Sequence, residues 1–172
     1  MELFEAFALR KSSRAYTSEK VGAADIEKIL FAANSAPVGG AHYENIHLAV
    51  VQEPALREEI RATCSPNKPD DPFYGAPLIV FVSAKARESS PNVEFANAAC
   101  LVEHMHLAAT ALGLGSVYIW GCLPAIRAAA GLKAKLKIPA GFEPVSAIAI
   151  GHVAEAPVPR DFDGQYACDR FE

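Results

Sequence analysis

Hydrophobic residues recur along the chain at two spacings, every three to four positions and in short continuous runs, and these divide it into helices and strands. Leu3, Phe4, Phe7 and Ala8 place one apolar face on a short helix over 2–10. Ile26, Ile29, Leu30 and Ala33 do the same over 24–34. Ile46–Val51 reads as a strand, and Pro54 opens a helix that carries Leu56 and Ile60 to about Thr63. The apolar run Leu78–Val82 reads as a buried strand. Further strands are expected at Ser116–Trp120 and Val145–Ile150, with a helix near Pro124–Ala130 between them.

The longest pattern begins at Val93. Phe95, Ala98, Ala99, Leu101, Val102, Met105, Ala108, Ala109 and Leu112 recur at spacings of three and four, without proline or glycine, to about Leu112. Ala96, Leu107 and Ala111 extend the apolar surface around much of the circumference, so the helix is expected to be central and buried. Gly113 is its expected stop. The absence of charge between His106 and Arg127 would also allow a membrane span, but Gly113, Gly115, Gly121 and Pro124 fall where a helix stop and a following strand would need them. The elements predict an α+β domain over 1–172, with a mixed sheet of about four or five strands flanked by helices.

Composition narrows the function. The 172 residues are 51% hydrophobic and 21% charged, as in a globular chain with a substantial core. The net charge of −4 argues against general nucleic-acid binding. The segment MELFEAFALRK lacks an apolar signal core, so the cytoplasm is expected. Cys64, Cys100, Cys122 and Cys168 form no CxxC pair, and reduced, mostly buried thiols are expected. His104 and His106, two apart on a helix, face different ways and cannot share a metal; no metal is implied.

Candidate chemistry concentrates near the N-terminus. Arg10-Lys11-Ser12-Ser13-Arg14 packs three cations and two hydroxyls into five residues of an otherwise acidic chain. Such a set can hold a phosphate through charge-assisted hydrogen bonds, but cations also favour a helix C-terminus, and on these residues alone a solvated basic turn is the simpler reading. Ser35-Ala36-Pro37-Val38-Gly39-Gly40-Ala41 is a small-residue loop whose glycines let the backbone approach a ligand, and His42 and Tyr43 follow it.

Taken in order, four stretches resemble the nitroreductase superfamily of FMN-dependent oxidoreductases. Arg10–Tyr16 resembles its basic element after a first helix, and Ser35–Gly40 its small-residue loop. Ala108-Ala109-Thr110-Ala111-Leu112-Gly113-Leu114-Gly115-Ser116 resembles its helix end and is the most specific match. Ile138–Val145 with Ala149-Ile150-Gly151-His152 resembles its last strand, and Arg160 stands where a late cation is expected.

The resemblance implies that Arg10, Lys11, Ser12 and Arg14 hold the FMN ribityl-phosphate, with Arg160 closing on the phosphate. It implies that Pro37, Val38 and Gly39 line the flavin from a partner subunit of a domain-swapped homodimer. It places the backbone N–H of Gly121 near flavin N5, and assigns the chemistry to the flavin rather than to a catalytic side chain. NADH or NADPH is the implied reductant, and a small-molecule acceptor such as a nitro compound or quinone the implied partner, in a ping-pong cycle. The sequence departs from the common pattern at Ala41, where an asparagine is usual, and His42 and Tyr43 are candidates to substitute. The Gly39–Tyr43 stretch is similar to that of azoline dehydrogenase-like members, so such a flavoenzyme, or a non-catalytic flavin-binding protein, is the alternative. The polar stretch Pro66–Gly75 is the expected lid over a substrate pocket, with His42, Tyr43, Phe73 and Tyr74 as its expected lining.

Overall fold

A computed structural model of the chain describes residues 1–66, 70–162 and 166–171. Helices α1 (Leu3–Leu9) and α2 (Ala23–Asn34) lead through two short 3₁₀ turns to strand β1 (Ile46–Val51). Helix α3 (Pro54–Cys64), strand β2 (Leu78–Ala84), helix α4 (Val93–Ala111) and strand β3 (Gly115–Ile119) follow. Helices α5 (Leu123–Ala128) and α6 (Ala130–Lys135) precede strand β4 (Glu143–Gly151). The single helix expected near 124–130 is thus two, broken at Ala129.

The four strands form one sheet in the order β1-β2-β4-β3, every neighbouring pair antiparallel. The mixed character expected of the sheet is confined, among the described residues, to one parallel bridge between Ser12 and Ser116. The reason lies in the connectivity. Strands β2 and β3, both antiparallel to β4, run parallel to each other with α4 as their crossover, but β4 inserts between them.

Strict alternation along β2 builds a core on each face of the sheet. Leu78, Val80, Val82 and Ala84 point to one side, where they meet Ile29 and Ala33 of α2 and Ala98, Leu101, Val102 and Met105 of α4. Ile79 and Phe81 point to the other, against Ile60 of α3, Phe73, and Leu123 and Ile126 of α5. Ending α4 falls to Gly113, at φ +75°, where the Leu114 and Gly113 N–H groups return to the carbonyls of Ala109 and Thr110 at 2.8 and 3.0 Å. Those two bonds satisfy carbonyls the helix leaves free and turn the chain straight into β3. Among the described residues no helix is long and apolar enough to cross a membrane.

Candidate functional site

The segment after α1 is held against the open edge of β3. Ser12 makes the parallel bridge with Ser116, and the Ser13 N–H donates to the Ser116 carbonyl at 2.9 Å. This close approach requires glycine at 115. A Cβ there would stand 2.3 Å from Val153 Cγ1 and 2.7 Å from Ser13 Oγ. Tyr16 fastens the far end, donating its hydroxyl to the Ser13 carbonyl at 2.9 Å, while the Thr17 N–H donates to the His152 carbonyl at 2.9 Å. Burial pushes the Tyr16 phenol up from its ordinary value, so it remains a donor at any pH the fold survives.

So anchored, Lys11, Ser12 and Arg14 wall a cavity of about 390 Å³, closed from the other side by Val153, Ala154 and Glu155. Among the described residues neither Lys11 nor Arg14 forms an ion pair with a carboxylate. Arg10 turns the other way, 3.9 Å from Glu103 on α4. Its carbonyl accepts the guanidinium of Arg160, whose own N–H donates to the Ala8 carbonyl at 3.0 Å and whose side chain stacks on Phe162. The late arginine is therefore brought to the basic segment across 150 positions of sequence.

Beneath this segment His106 is buried on α4, its Nδ1 2.7 Å from Ser116 Oγ. Burial and then the nearby Arg10 charge push its pKa down to about 4, so the imidazole is neutral near pH 7. His104, two residues earlier, faces α2 instead, with Nδ1 3.2 Å from the Ala32 carbonyl, as the helical spacing requires.

Gly121 lies at the end of β3 in a second cavity of about 420 Å³, shared with Tyr74, Tyr118, Trp120, Cys64 and Cys122. It is exposed, nothing lies within 4 Å of where a Cβ would stand, and among the described residues its N–H has no hydrogen-bond partner. The Arg14 guanidinium, from the first cavity, lies 5.9 Å from the ring centroid of Tyr74, from the second.

The rest of the expected constellation lies elsewhere. Pro37, Val38 and Gly39 sit by the N-terminal half of α4, where the Gly39 N–H donates to Asn97 Oδ1 at 2.9 Å. Asn97 and His106 are nine residues apart, about 14 Å along the helix, so this loop lines neither cavity of its own chain. His42 pairs with Glu44 at 2.9 Å and Tyr43 is exposed beside it, also away from Gly121. Phe73 corrects the expectation of a pocket residue. It is 2% exposed and packs edge-on against Phe81 at 6.3 Å, because a fully apolar ring gains more in the core than over a solvent-filled cavity. Of the expected lid, residues 67–69 lie outside the described residues. The following turn is pinned by Asp71, whose carboxylate accepts the Phe73 and Gly75 N–H groups at 2.8 and 2.7 Å.

The sequence model of the nitroreductase family matches residues 64–152, just over half of the chain. A Methanothermobacter thermautotrophicus protein, provisionally named an NADH dehydrogenase/NAD(P)H nitroreductase, is 30% identical over 94% of this chain and 82% of its own length. The chain belongs to the nitroreductase family. A Bacteroides fragilis nitroreductase solved with bound FMN is 25% identical and superposes with a TM-score of 0.80 over 99% of this chain and all of its own. A Desulfitobacterium hafniense nitroreductase, at 22% identity and a TM-score of 0.80 over 97% of this chain and 98% of its own, shares the fold.

Within this nitroreductase-family chain several residues escaped the sequence reading. His106 stood out only as a failed metal ligand, and its contact with Ser116 needed the helix and strand to be placed. Tyr118 and Trp120, half-exposed with ring centroids 6.5 Å apart, read in the sequence only as strand residues. Their alternation with buried Val117 and Ile119 was the available signal, since a strand with one aromatic face turned outward presents that face to something.

Proposed function

We propose that this nitroreductase-family chain is an FMN-dependent oxidoreductase acting on small-molecule acceptors such as nitro compounds or quinones. The observation that carries the reading is a pair of cavities whose linings touch at Arg14 and Tyr74: among the described residues, one is walled by Lys11, Ser12 and Arg14 without carboxylate ion pairs, and the other presents a Gly121 N–H without a hydrogen-bond partner. A cofactor with an anionic end and a flat, uncharged head suits that arrangement, and the Bacteroides fragilis relative is described with FMN bound. When bound, FMN would supply two-electron transfer from NADH or NADPH to the acceptor, in a ping-pong order.

The protein's own contribution is positioning and electrostatics. Lys11, Ser12 and Arg14 would hold the phosphate by charge-assisted hydrogen bonds, each worth roughly 1.5–3 kcal/mol. Arg160 orders the segment by tying its Arg10 carbonyl. The Gly121 N–H, open and fixed at a strand end, would donate to the side of the ring where negative charge builds on reduction. Tyr74, Tyr118 and Trp120 would bound the acceptor's space with aromatic surface.

We further infer a homodimer. Leu3, Phe4 and Phe7 of α1 are 57%, 83% and 42% exposed, and Leu3 and Phe7 with Leu107 and Ala108 of α4 border an apolar groove of about 550 Å³. A second copy covering that face would also bring Pro37, Val38 and Gly39, with His42 and Tyr43, towards the other chain's site, which they do not reach in their own. We take residues 1–172 as a single unit, and the cytoplasm, where four unpaired cysteines stay reduced, as its compartment.

The visible spectrum of the purified protein tests the reading. A flavin band that bleaches on anaerobic addition of NADH or NADPH is expected, and a colourless protein that takes up no added FMN would overturn it. The double variant Lys11→Ala, Arg14→Ala should lose the flavin while keeping its circular dichroism spectrum. Stoichiometric FMN retained in that variant would remove the phosphate assignment.

A further inference from the structure

Two of the four cysteines, 58 positions apart in sequence, meet at the wall of the Gly121 cavity. Cys64 ends α3 and Cys122 follows Gly121 directly, and the Cys64 sulfur lies 3.8 Å from the Cys122 carbonyl oxygen. Cys122 is 3% exposed, whereas Cys64 is half-buried and faces the cavity. We propose that Cys64 and Cys122 form a peroxide-reactive thiol pair, Cys64 attacking and Cys122 resolving, whose disulfide ties the end of α3 to the turn beside Gly121.

Three observations assign the roles. Access comes first: a peroxide entering the cavity meets the half-open Cys64 before the buried Cys122. The thiols also influence each other unequally. The neighbouring Cys122 side chain holds Cys64 below the ordinary thiol range, against the opposing effects of burial and Asp71, while Cys64 and then burial push Cys122 up. The thiolate is the nucleophile, so the favoured attacker is Cys64. Finally, Cys64 is the last residue of its helix and Cys122 stands in a turn, so either backbone can move without breaking a regular element.

The chemistry balances with hydrogen peroxide as oxidant. The Cys64 thiolate attacks one peroxide oxygen, an S–O bond forms, the O–O bond breaks, and the departing hydroxide takes a proton to become water. Cys64 is then a sulfenic acid, oxidised by the two electrons the peroxide gained. The Cys122 sulfur attacks the Cys64 sulfur, an S–S bond forms, the S–O bond breaks, and the leaving hydroxide carries off the Cys122 proton as a second water. Two thiols and one peroxide become one disulfide and two waters, and added dithiol reverses the bond.

The chain supplies its own reporter. Trp120 is its single tryptophan and lines the same cavity, two residues from Cys122. The protein, as purified, is treated with one equivalent of hydrogen peroxide, alkylated, digested without reduction and mapped by mass spectrometry, with Trp120 emission followed in parallel. A peptide pair linking Cys64 to Cys122 is expected, with emission that falls on oxidation and recovers with dithiothreitol. Cys122→Ser should stop at a dimedone-reactive sulfenic acid on Cys64, and Cys64→Ser should give neither the link nor the emission change. Oxidation at exposed Cys168 while Cys64 and Cys122 remain alkylatable would overturn the proposal, and so would an unchanged emission response in Cys64→Ser. The wild-type peptide map decides the matter even where a serine variant folds poorly.

Discussion

Helix α4 has two apolar faces, and they meet opposite fates. Ala98, Leu101, Val102, Met105 and Ala109 are at most 4% exposed, sealed against the sheet and α2. Ala96, Ala99 and Ala111, on other sides of the helix, are exposed, and Leu107 and Ala108 floor a groove rimmed by Leu3 and Phe7. The residue types hardly differ. One face is finished by this chain's own sheet, the other is apolar without a cover, and the difference lies in what the rest of the fold delivers to each side. An apolar helix face is therefore evidence of burial somewhere, though not of burial by its own chain.

The strongest way to test the sealed face is to hollow it. Met105→Ala, at a position with no exposure, should cost about 3 kcal/mol from lost burial and the cavity left behind, read as a lower urea midpoint with an unchanged slope.

The same face carries a polar group whose state depends on pH. His106 titrates at about 4 when folded against 6.5 for an ordinary histidine, so between those values the unfolded chain binds more protons than the folded one. Stability from this group is complete above about pH 6.5 and falls away as the pH drops towards 4, by about 3 kcal/mol in all. Urea titrations at pH 7 and pH 4.5 should show this loss in the wild type and a smaller one in His106→Gln. Equal pH dependence in both proteins would mean that His106 carries none of it.

A smaller effect is expected where α4 hands the chain to β3. Gly115→Ala must displace Val153 or Ser13, costing about 1–3 kcal/mol as overpacking does, and should loosen the segment that bears Lys11, Ser12 and Arg14. Weaker FMN retention, measured by ultrafiltration, is the expected companion of the lower midpoint.

On the open face the expected change in the chain's own stability is the smallest, under about 0.5 kcal/mol as for other surface sites. Ala99→Glu should still convert a dimer to a monomer in light scattering at fixed concentration. A wild-type protein that is already monomeric, yet binds flavin tightly, would leave the open face without the partner inferred for it.

Much of the architecture was legible in the sequence because each element obeys a local rule. Strand Ile46–Val51 appears with the bounds expected, the helix from Pro54 runs one residue beyond its expected end, and Gly113 stops α4 with the expected left-handed turn. The break between α5 and α6 was hidden because Ala128, Ala129 and Ala130 are good helix formers, and nothing local requires the non-helical backbone of Ala129. Antiparallel pairing was equally hidden, since the insertion of β4 between β2 and β3 is a choice among partners distant in sequence.

The candidate site divides in the same way. The sequence by itself determined which residue types could serve: a run of cations and hydroxyls after a first helix, glycines where backbones must approach, and a helix end matching the nitroreductase family. These depend on side-chain chemistry and on local backbone freedom, which neighbouring residues specify. Only the tertiary structure decided that Arg10 turns towards Glu103 while Lys11 and Arg14 face a cavity, and that Phe73 is core and Tyr74 a wall. The meeting of Cys64 with Cys122 was decided there too. Each of those outcomes depends on the packing of elements tens of residues apart, where burial is shared among many side chains and no single stretch of sequence states the result.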